Sequence, residues 1–307
     1  MVKISFLIAA HNEEKIISIT LKNLINLPYE DYEVILGLDG CTDNTEEIVK
    51  GYCKKFKKIR YFSLNLRQGK PAVINSIIKK AKGDLIIIND ADWIFDYKSK
   101  EKLNLLISKF KDSKLGGIAE NLPVEWDEEN IKKANLGYRI VAWTSYFWMK
   151  FQEKKFSEKI GNETYVQEPK LFMTNILRKK LYKENLTLGD DFERTHNIIN
   201  SGYKIILLNQ ENMPKMKAVY TQVLIRDLFK QKVRTAMARE QIKNKDNLGM
   251  FNYYIPSIFY ILKESFKKSF SVFLMCGFWI VLTSLASLKA KMMKKSTEEG
   301  WKMRLRR

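Results

Sequence analysis

The sequence predicts an α/β protein in which a mostly parallel mixed sheet is flanked by helices, with membrane-associated helices towards its C-terminal end. Three observations predict this. Strand-like apolar runs alternate with helix-like segments through the first hundred residues, each such strand ends in a polar loop, and a long uncharged segment lies late in the chain. Alternation of this kind implies right-handed crossovers and a parallel sheet covered on both faces.

The elements follow in order. "KISFLIA" (3–9) reads as a strand, and "EEKIISITLKNLINL" (13–27) as a helix with apolar residues three and four apart. "YEVILGLD" (32–39) is a second strand, and "DNTEEIVKGYCKKF" (43–56) a helix whose early acids suit the positive end of its dipole. "IRYFSL" (59–64) is a third strand, "GKPAVINSIIKKA" (69–81) a helix with Pro71 in its first turn, and "DLIIIN" (84–89) a fourth strand. These strands end in "AAHNEE", "DGCTDNT", "NLRQGK" and "NDAD". Ligand crevices of open α/β sheets lie beyond the carboxyl ends of the strands, so four such loops on one rim form a site.

The last loop holds Asp90 and Asp92 one residue apart. Like charges at that spacing repel unless a cation lies between them, and a hard ion such as Mg²⁺ or Mn²⁺ takes oxygen ligands of this kind. The same stretch also fits an ordinary strand-end turn with two solvated carboxylates. Taken alone, Asp39 and Asp43 fit the cap of a helix beginning near Thr42, and Lys70 fits a solvated first-turn residue.

Composition narrows the function classes. Cys41, Cys53 and Cys276 have no CxxC spacing and there are only two histidines, which argues against structural zinc and a disulfide framework and fits a reducing compartment. The opening "MVKISFLIAA" turns at once into "HNEE", unlike a secretory signal. A net charge of +19 calls for an anionic partner. The tail from 289 to 307 carries eight Lys or Arg against two Glu, and it follows twenty residues, 269–288, without any charge. Twenty helical residues span about 30 Å, the thickness of a bilayer's hydrocarbon core. Lys267, Lys268, Lys289 and Lys291 flank that segment as interface anchors would, and the alternative is a buried core helix. Basic residues around an apolar helix suit anionic lipid, whereas nucleic-acid binding predicts basic residues interleaved with exposed aromatics along a groove.

The four loops resemble those of the inverting glycosyltransferases of family 2, which have the nucleotide-binding GT-A fold. "HNEE" is similar to the family's Asn-Glu-Glu, "DGCTDNT" to its Asp-Gly-Ser-Thr-Asp-x-Thr loop, and "NLRQGK" with "NDAD" to its Gly-Lys helix and Asp-x-Asp strand end. The resemblance implies that Asp39 holds the base or ribose of a nucleotide sugar and that Glu13 and Lys70 support the nucleotide. It implies further that Asp90 and Asp92 act on the diphosphate through Mg²⁺ or Mn²⁺, with Asp92 as the metal ligand. Cys41 stands where Ser is usual and His11 where an aromatic is commoner.

"LTLGDDFERTHNIINSGYKIILL" (186–208) resembles the family's Thr-Glu-Asp helix and its Ala-Gly-Tyr-Arg-Ile segment, and this puts the catalytic base on Asp191, with Asp190 its rival. Glu193 and Arg194 also fit plain surface pairing on a helix. "RDLFKQKVRTAMARE" (226–240) resembles the Gln-x-x-Arg-Trp segment of membrane-linked members, matching at Gln231 and Arg234, while Thr235 replaces the Trp. The implied reaction moves a sugar from a UDP- or GDP-linked donor to a lipid-linked or glycan acceptor at the cell membrane, on its cytoplasmic side. Trp126, Trp143, Tyr146, Phe147, Trp148 and Phe151 fit either an acceptor site or a core. The expected layout is a catalytic domain over 1–222, amphipathic interfacial helices over 223–268, a transmembrane or membrane-embedded helix over 269–288 and the basic tail. A positive tail beyond a single span runs against the positive-inside tendency, which a re-entrant or in-plane helix would relieve. Rival readings are a non-catalytic membrane scaffold of the same fold and a nucleic-acid-binding protein.

Overall fold

A computed structural model describes residues 2–120, 128–184, 189–210, 212–219, 222–241 and 249–293. Its contacts divide the chain into two units, one of 1–123, 157–186 and 190–219, the other of 124–156, 187–189 and 220–307. Residues 124–156, expected inside a catalytic domain of 1–222, therefore group with the C-terminal helices. Trp126 and most of the basic tail lie outside the described residues.

The first unit opens with β1 (Ile4–Ala10), α1 (Ile17–Ile25), β2 (Tyr32–Asp39), α2 (Thr45–Lys55), β3 (Ile59–Leu64), α3 (Lys70–Ile78) and β4 (Leu85–Ile88). It continues with β5 (Trp93–Asp96), α4 (Lys100–Ser108) and β6 (Leu115–Glu120). The helices α5 (Glu128–Lys133) and α6 (Leu136–Phe156) belong to the second unit. The chain then returns to the first unit for β7 (Ser157–Ile160), β8 (Glu163–Val166), β9 (Met173–Arg178), α7 (Asp190–Asn200), β10 (Lys204–Leu208) and β11 (Lys215–Ala218).

Nine strands form one sheet in the order β3-β2-β1-β4-β9-β6-β10-β8-β7, and β11 pairs with β5 in a small second sheet. β1, β2, β3 and β4 run parallel, as do β6 and β10, while β9 runs antiparallel between β4 and β6. The carboxyl ends of β1 to β4, β6 and β10 therefore share one rim with the start of β9. All eight residues of β2 are buried, as expected of a strand covered on both faces. Its one buried Glu is locked by protein groups: Glu33 accepts from Ser5 Oγ (2.7 Å), Lys82 N (2.5 Å) and Arg60 Nη2 (2.6 Å). Gly37 lets α3 lie against the sheet, since a Cβ there would come within 2.2 Å of Val73 Cγ1.

The second unit is helical, completed by α8 (Ile225–Gln241), α9 (Ile255–Lys268) and α10 (Phe270–Met292). Trp143 and Phe147 of α6 pack with Leu228, Ile261, Cys276 and Trp279 in its core. A second cluster joins Val233 and Met237 of α8 to Ala286 and Ala290 of α10. The expected uncharged segment lies within α10, capped by Ser269, whose hydroxyl accepts from Val272 N at 3.2 Å. Among the described residues α10 is the one helix long and apolar enough to cross a membrane. Its outer face, Phe270, Leu274, Phe278, Val281, Leu285, Leu288 and Met292, is exposed along its whole length.

Candidate active site

The loops after β1 and β2 are fastened to each other by side chains. Thr42 N donates to Asn12 Oδ1 (2.8 Å), Glu13 N to Thr45 Oγ1 (2.7 Å), Glu14 N to Asp43 Oδ2 (3.1 Å) and Asn44 N to Glu14 Oε2 (3.0 Å). The Asp43 carboxyl is lowered despite its burial because Thr45 and Glu14 donate to its charged form. Asp43 thus serves the loop as well as the helix, accepting from Thr45 N at 3.0 Å as α2 begins. Cys41 Sγ–H donates to Ala10 O (3.6 Å), and burial pushes its thiol up, the state of an inert packing residue.

Asp39, at the end of β2, is 4% exposed and receives Gln68 N on Oδ1 (2.6 Å) and Gly69 N on Oδ2 (2.8 Å). Its carboxylate therefore shapes the loop that delivers Lys70. Gly69 holds φ at 91°, a backbone region that favours glycine, and α3 starts at the next residue. His11 Nδ1–H donates to the Asp39 carbonyl at 2.6 Å, tying the first loop to the same point. Glu13 is buried beside these loops.

Lys70 and Asp90 form an ion pair of 2.7 Å, with the Asp90 side chain 43% exposed. Burial acts to discharge the Lys70 ammonium, but Asp90, then Asp190 and Asp191, outweigh it and hold the group above its ordinary range. The structure therefore brings Lys70, Asp90 and the start of α7 into one charged cluster. Asn89 fixes the strand end, donating from Nδ2 to the carbonyls of Asp90 (2.7 Å) and Trp93 (2.8 Å). Asp92 is 1% exposed, and its carbonyl accepts from Val219 N at 3.0 Å.

The two adjacent acids of α7 have different surroundings. Asp190 is bonded to Arg194, which is buried and also donates from Nε to Thr174 O (3.1 Å) and from Nη2 to Asn175 Oδ1 (3.1 Å). Arg194 is thus an anchor between α7 and β9, contrary to the surface pairing its sequence also allowed. Asp191 is half-buried. Burial first, then the Asp190 charge, raises its carboxyl, against Lys70 and Arg194, which pull it down. Thr195 reinforces the joint, with Oγ1 donating to Phe172 O (2.6 Å) and accepting from Thr174 N (3.1 Å).

Sequence reasoning missed Glu120, the last residue of β6 on the same rim. It is 4% exposed, its Oε1 accepts from Met216 N (3.1 Å), and Oε2 has no hydrogen-bond partner among the described residues. Burial pushes its carboxyl up to about 7, against the Met216 amide and Lys215. The one available signal was a lone acid closing the apolar run "LGGIAE".

Among the described residues no group of three or more His, Cys, Asp or Glu could by itself hold a metal ion. Two carboxylates one residue apart at a strand end are still a fitting donor set. Mg²⁺ at phosphates is held by one or two carboxylates together with substrate oxygens, not by an all-protein cage. Gln231 and Arg234 stand half-buried on α8 of the second unit, where Thr235 Oγ1 donates to Gln231 O at 3.0 Å. The aromatics of α6 are largely core in that unit, with Trp143 and Phe147 stacked at 6.1 Å.

A family model described as Glycosyl transferase family 2 matches residues 5–183, more than half of the chain. The poly-beta-1,6-N-acetyl-D-glucosamine synthase of Staphylococcus epidermidis is 34% identical over 119 residues, which is 38% of this chain and 28% of that protein. The chain thus matches little more than a quarter of the length of that relative. The mannosyltransferase PcManGT from Pyrobaculum calidifontis, solved with GDP-Man and Mn²⁺, superposes with a TM-score of 0.54 at 16% identity, over 98% of this chain and 78% of that one. TarS of S. aureus, solved with UDP-GlcNAc, gives 0.51 at 14% identity over 98% and 91%. These structural likenesses establish the GT-A fold.

Proposed function

The chain belongs to glycosyl transferase family 2, and from that premise we propose inverting transfer of a sugar from a UDP- or GDP-linked donor to a lipid-linked or glycan acceptor at a membrane. The observation that carries this reading is the cluster of Lys70, Asp90 and Asp191, built by loops that all sit on one rim of the sheet. Asp191 takes the proton of the acceptor hydroxyl as that oxygen attacks the anomeric carbon from the face opposite the leaving group. Its raised carboxyl suits the task, because a base works best with a pKa near the operating pH. Asp190 is engaged with Arg194, which favours Asp191 as the base. Lys70 stays charged beside Asp90 and offers a cation to the departing diphosphate, while Glu13 and Asp39 keep the nucleotide-side loops in place. Asp92, with Asp90 beside it, would hold Mg²⁺ or Mn²⁺, which neutralises charge on the leaving nucleoside diphosphate.

The second unit serves as the membrane attachment. The apolar outer face of α10, with Phe259 and Phe266 of α9 also exposed, supports this, as do the basic residues Lys263, Lys267, Lys268, Lys289 and Lys291 around it. An in-plane α10 is favoured over a crossing one. The Lys232 ammonium lies 4.5 Å over the Trp279 ring, near the middle of α10. A crossing helix would carry that charge to the bilayer centre, where a Lys costs about 2.5–3.5 kcal/mol. An in-plane helix also leaves the basic tail on the cytoplasmic side, where nucleotide sugars are.

Calorimetry with UDP, GDP and their common sugar conjugates, with and without Mn²⁺, tests the donor reading. Binding of one nucleotide class that needs the metal and is lost in Asp92→Ala supports it. No binding to any of them overturns it and favours the membrane scaffold.

A further inference from the structure

A cavity of about 470 Å³ lies within the second unit, walled by α9 and α10 and closed by Trp148 of α6 and Ala236 of α8. On its α10 wall Trp279, Thr283, Ser287 and Lys291 follow at four-residue steps and so stand one above another. A polar row on an otherwise apolar helix, lining a cavity, requires partners. Ser287 has one, donating to Thr283 O at 2.9 Å. Trp279 Nε1 and Thr283 Oγ1 are buried and have no hydrogen-bond partner among the described residues, and Trp279 is only 3% exposed. An unmade buried hydrogen bond costs about 1–3 kcal/mol. Two of them one turn apart, in a cavity of ligand size, are groups set to meet a ligand's oxygens.

The rest of the wall defines the ligand. Ile258, Ile261 and Ile280 make it apolar, which suits hydrocarbon. Lys291 is among its lining residues and no carboxylate is, while Lys232 stands over the Trp279 ring, so the head is anionic. Leu288 lines the cavity and is 60% exposed on the outer stripe of α10, which opens the cavity towards the face assigned to lipid.

We propose that this cavity binds an anionic lipid, its phosphate oxygens accepting from Trp279 Nε1 and Thr283 Oγ1 and its chain lying against Ile258, Ile261 and Ile280. The inference rests on the membrane reading above and deepens it. An isoprenoid phosphate and a bilayer phosphoglyceride share this chemistry.

The test is calorimetric titration of the full chain in maltoside detergent with farnesyl phosphate, dihexanoylphosphatidylglycerol and zwitterionic dihexanoylphosphatidylcholine. Saturable one-to-one binding of an anionic lipid is expected, weakened about tenfold in Trp279→Phe and in Thr283→Val, and weakened also when Ala236→Phe puts a ring into the cavity. Tenfold is the loss of one hydrogen bond to a charged group at about 1.4 kcal/mol. Preference for farnesyl phosphate identifies an isoprenoid occupant, and preference for the glycerolipid a bilayer one. Equal affinity for all three lipids, or wild-type binding in Thr283→Val, which preserves side-chain shape, overturns the proposal. Nucleotide-sugar binding on the same samples separates the two readings. If it persists where no lipid binds, the cavity alone is refuted, and if it is absent where lipid binds, the transferase reading is refuted.

Discussion

Replacing Asp190 and Asp191 one at a time by Asn separates the two tasks assigned to neighbouring carboxylates at the start of α7. Arg194 is 1% exposed, so Asp190→Asn leaves its guanidinium buried without its hydrogen-bonded counter-charge. Removing one partner of a buried pair costs about 3–5 kcal/mol. Two further hydrogen bonds of Arg194, to Thr174 O and Asn175 Oδ1, survive the change and put the loss near the lower end, about 3 kcal/mol. For a domain of this size that lowers the melting temperature by about 6–12 °C. Asp191→Asn breaks no such pair, and it replaces a carboxyl whose ionisation is already disfavoured by burial and by Asp190. Its stability should stay within about 1 kcal/mol of wild type while transfer falls by about 10²- to 10⁴-fold. Urea unfolding followed by circular dichroism, run beside a transfer assay, reads both. Equal destabilisation by the two substitutions, or an Asp191→Asn protein that transfers sugar within about tenfold of the wild-type rate, would refute the division of labour.

Glu120 predicts a pH effect on stability. Its carboxyl keeps its proton to about pH 7 in the fold, against about 4.5 when unfolded. The folded state therefore binds more protons between those values, and stability falls as pH rises through that window, by about 3 kcal/mol in all. Glu120→Gln should flatten the urea midpoint between pH 5 and pH 8, and a curve parallel to wild type would contradict the assignment. Phe270→Glu combined with Leu274→Glu, on the outer stripe of α10, should weaken flotation with phosphatidylglycerol vesicles at least tenfold, each charge replacing an apolar contact of about 2 kcal/mol. Unchanged flotation would mean that the stripe does not meet lipid.

The strands β1, β2 and β4 and the polar loops that end them were legible because a strand buried on both faces is written as an apolar run, and the edge strand β3, only partly buried, was legible from its β-branched and aromatic residues. Helix starts were less so. The helix expected from Glu13 begins at Ile17, after a turn in which Ile16 N and Ile17 N donate to Glu13 O while the amides of Glu13 and Glu14 go to Thr45 and Asp43 in the neighbouring loop. That exchange is non-local, as is the Asp39 carboxylate's grip on the amides of Gln68 and Gly69. Glu193 and Arg194 fit surface charges on a helix, since only the carbonyl of Thr174 and the side chain of Asn175 reveal that Arg194 is buried. Local pattern likewise identified the aromatic run of α6, but its packing with α8 to α10 depends on residues far along the chain.

Single-displacement sugar transfer with Asp191 as base leaves its mark in the stereochemistry of the product. Wild-type protein is incubated with the nucleotide sugar it binds and an acceptor, and the new linkage is read by proton NMR from the anomeric proton. A single displacement gives a configuration opposite to the donor's, and Asp191→Asn forms that product at least about a hundredfold more slowly at undiminished donor affinity. A product that keeps the donor's configuration would contradict it.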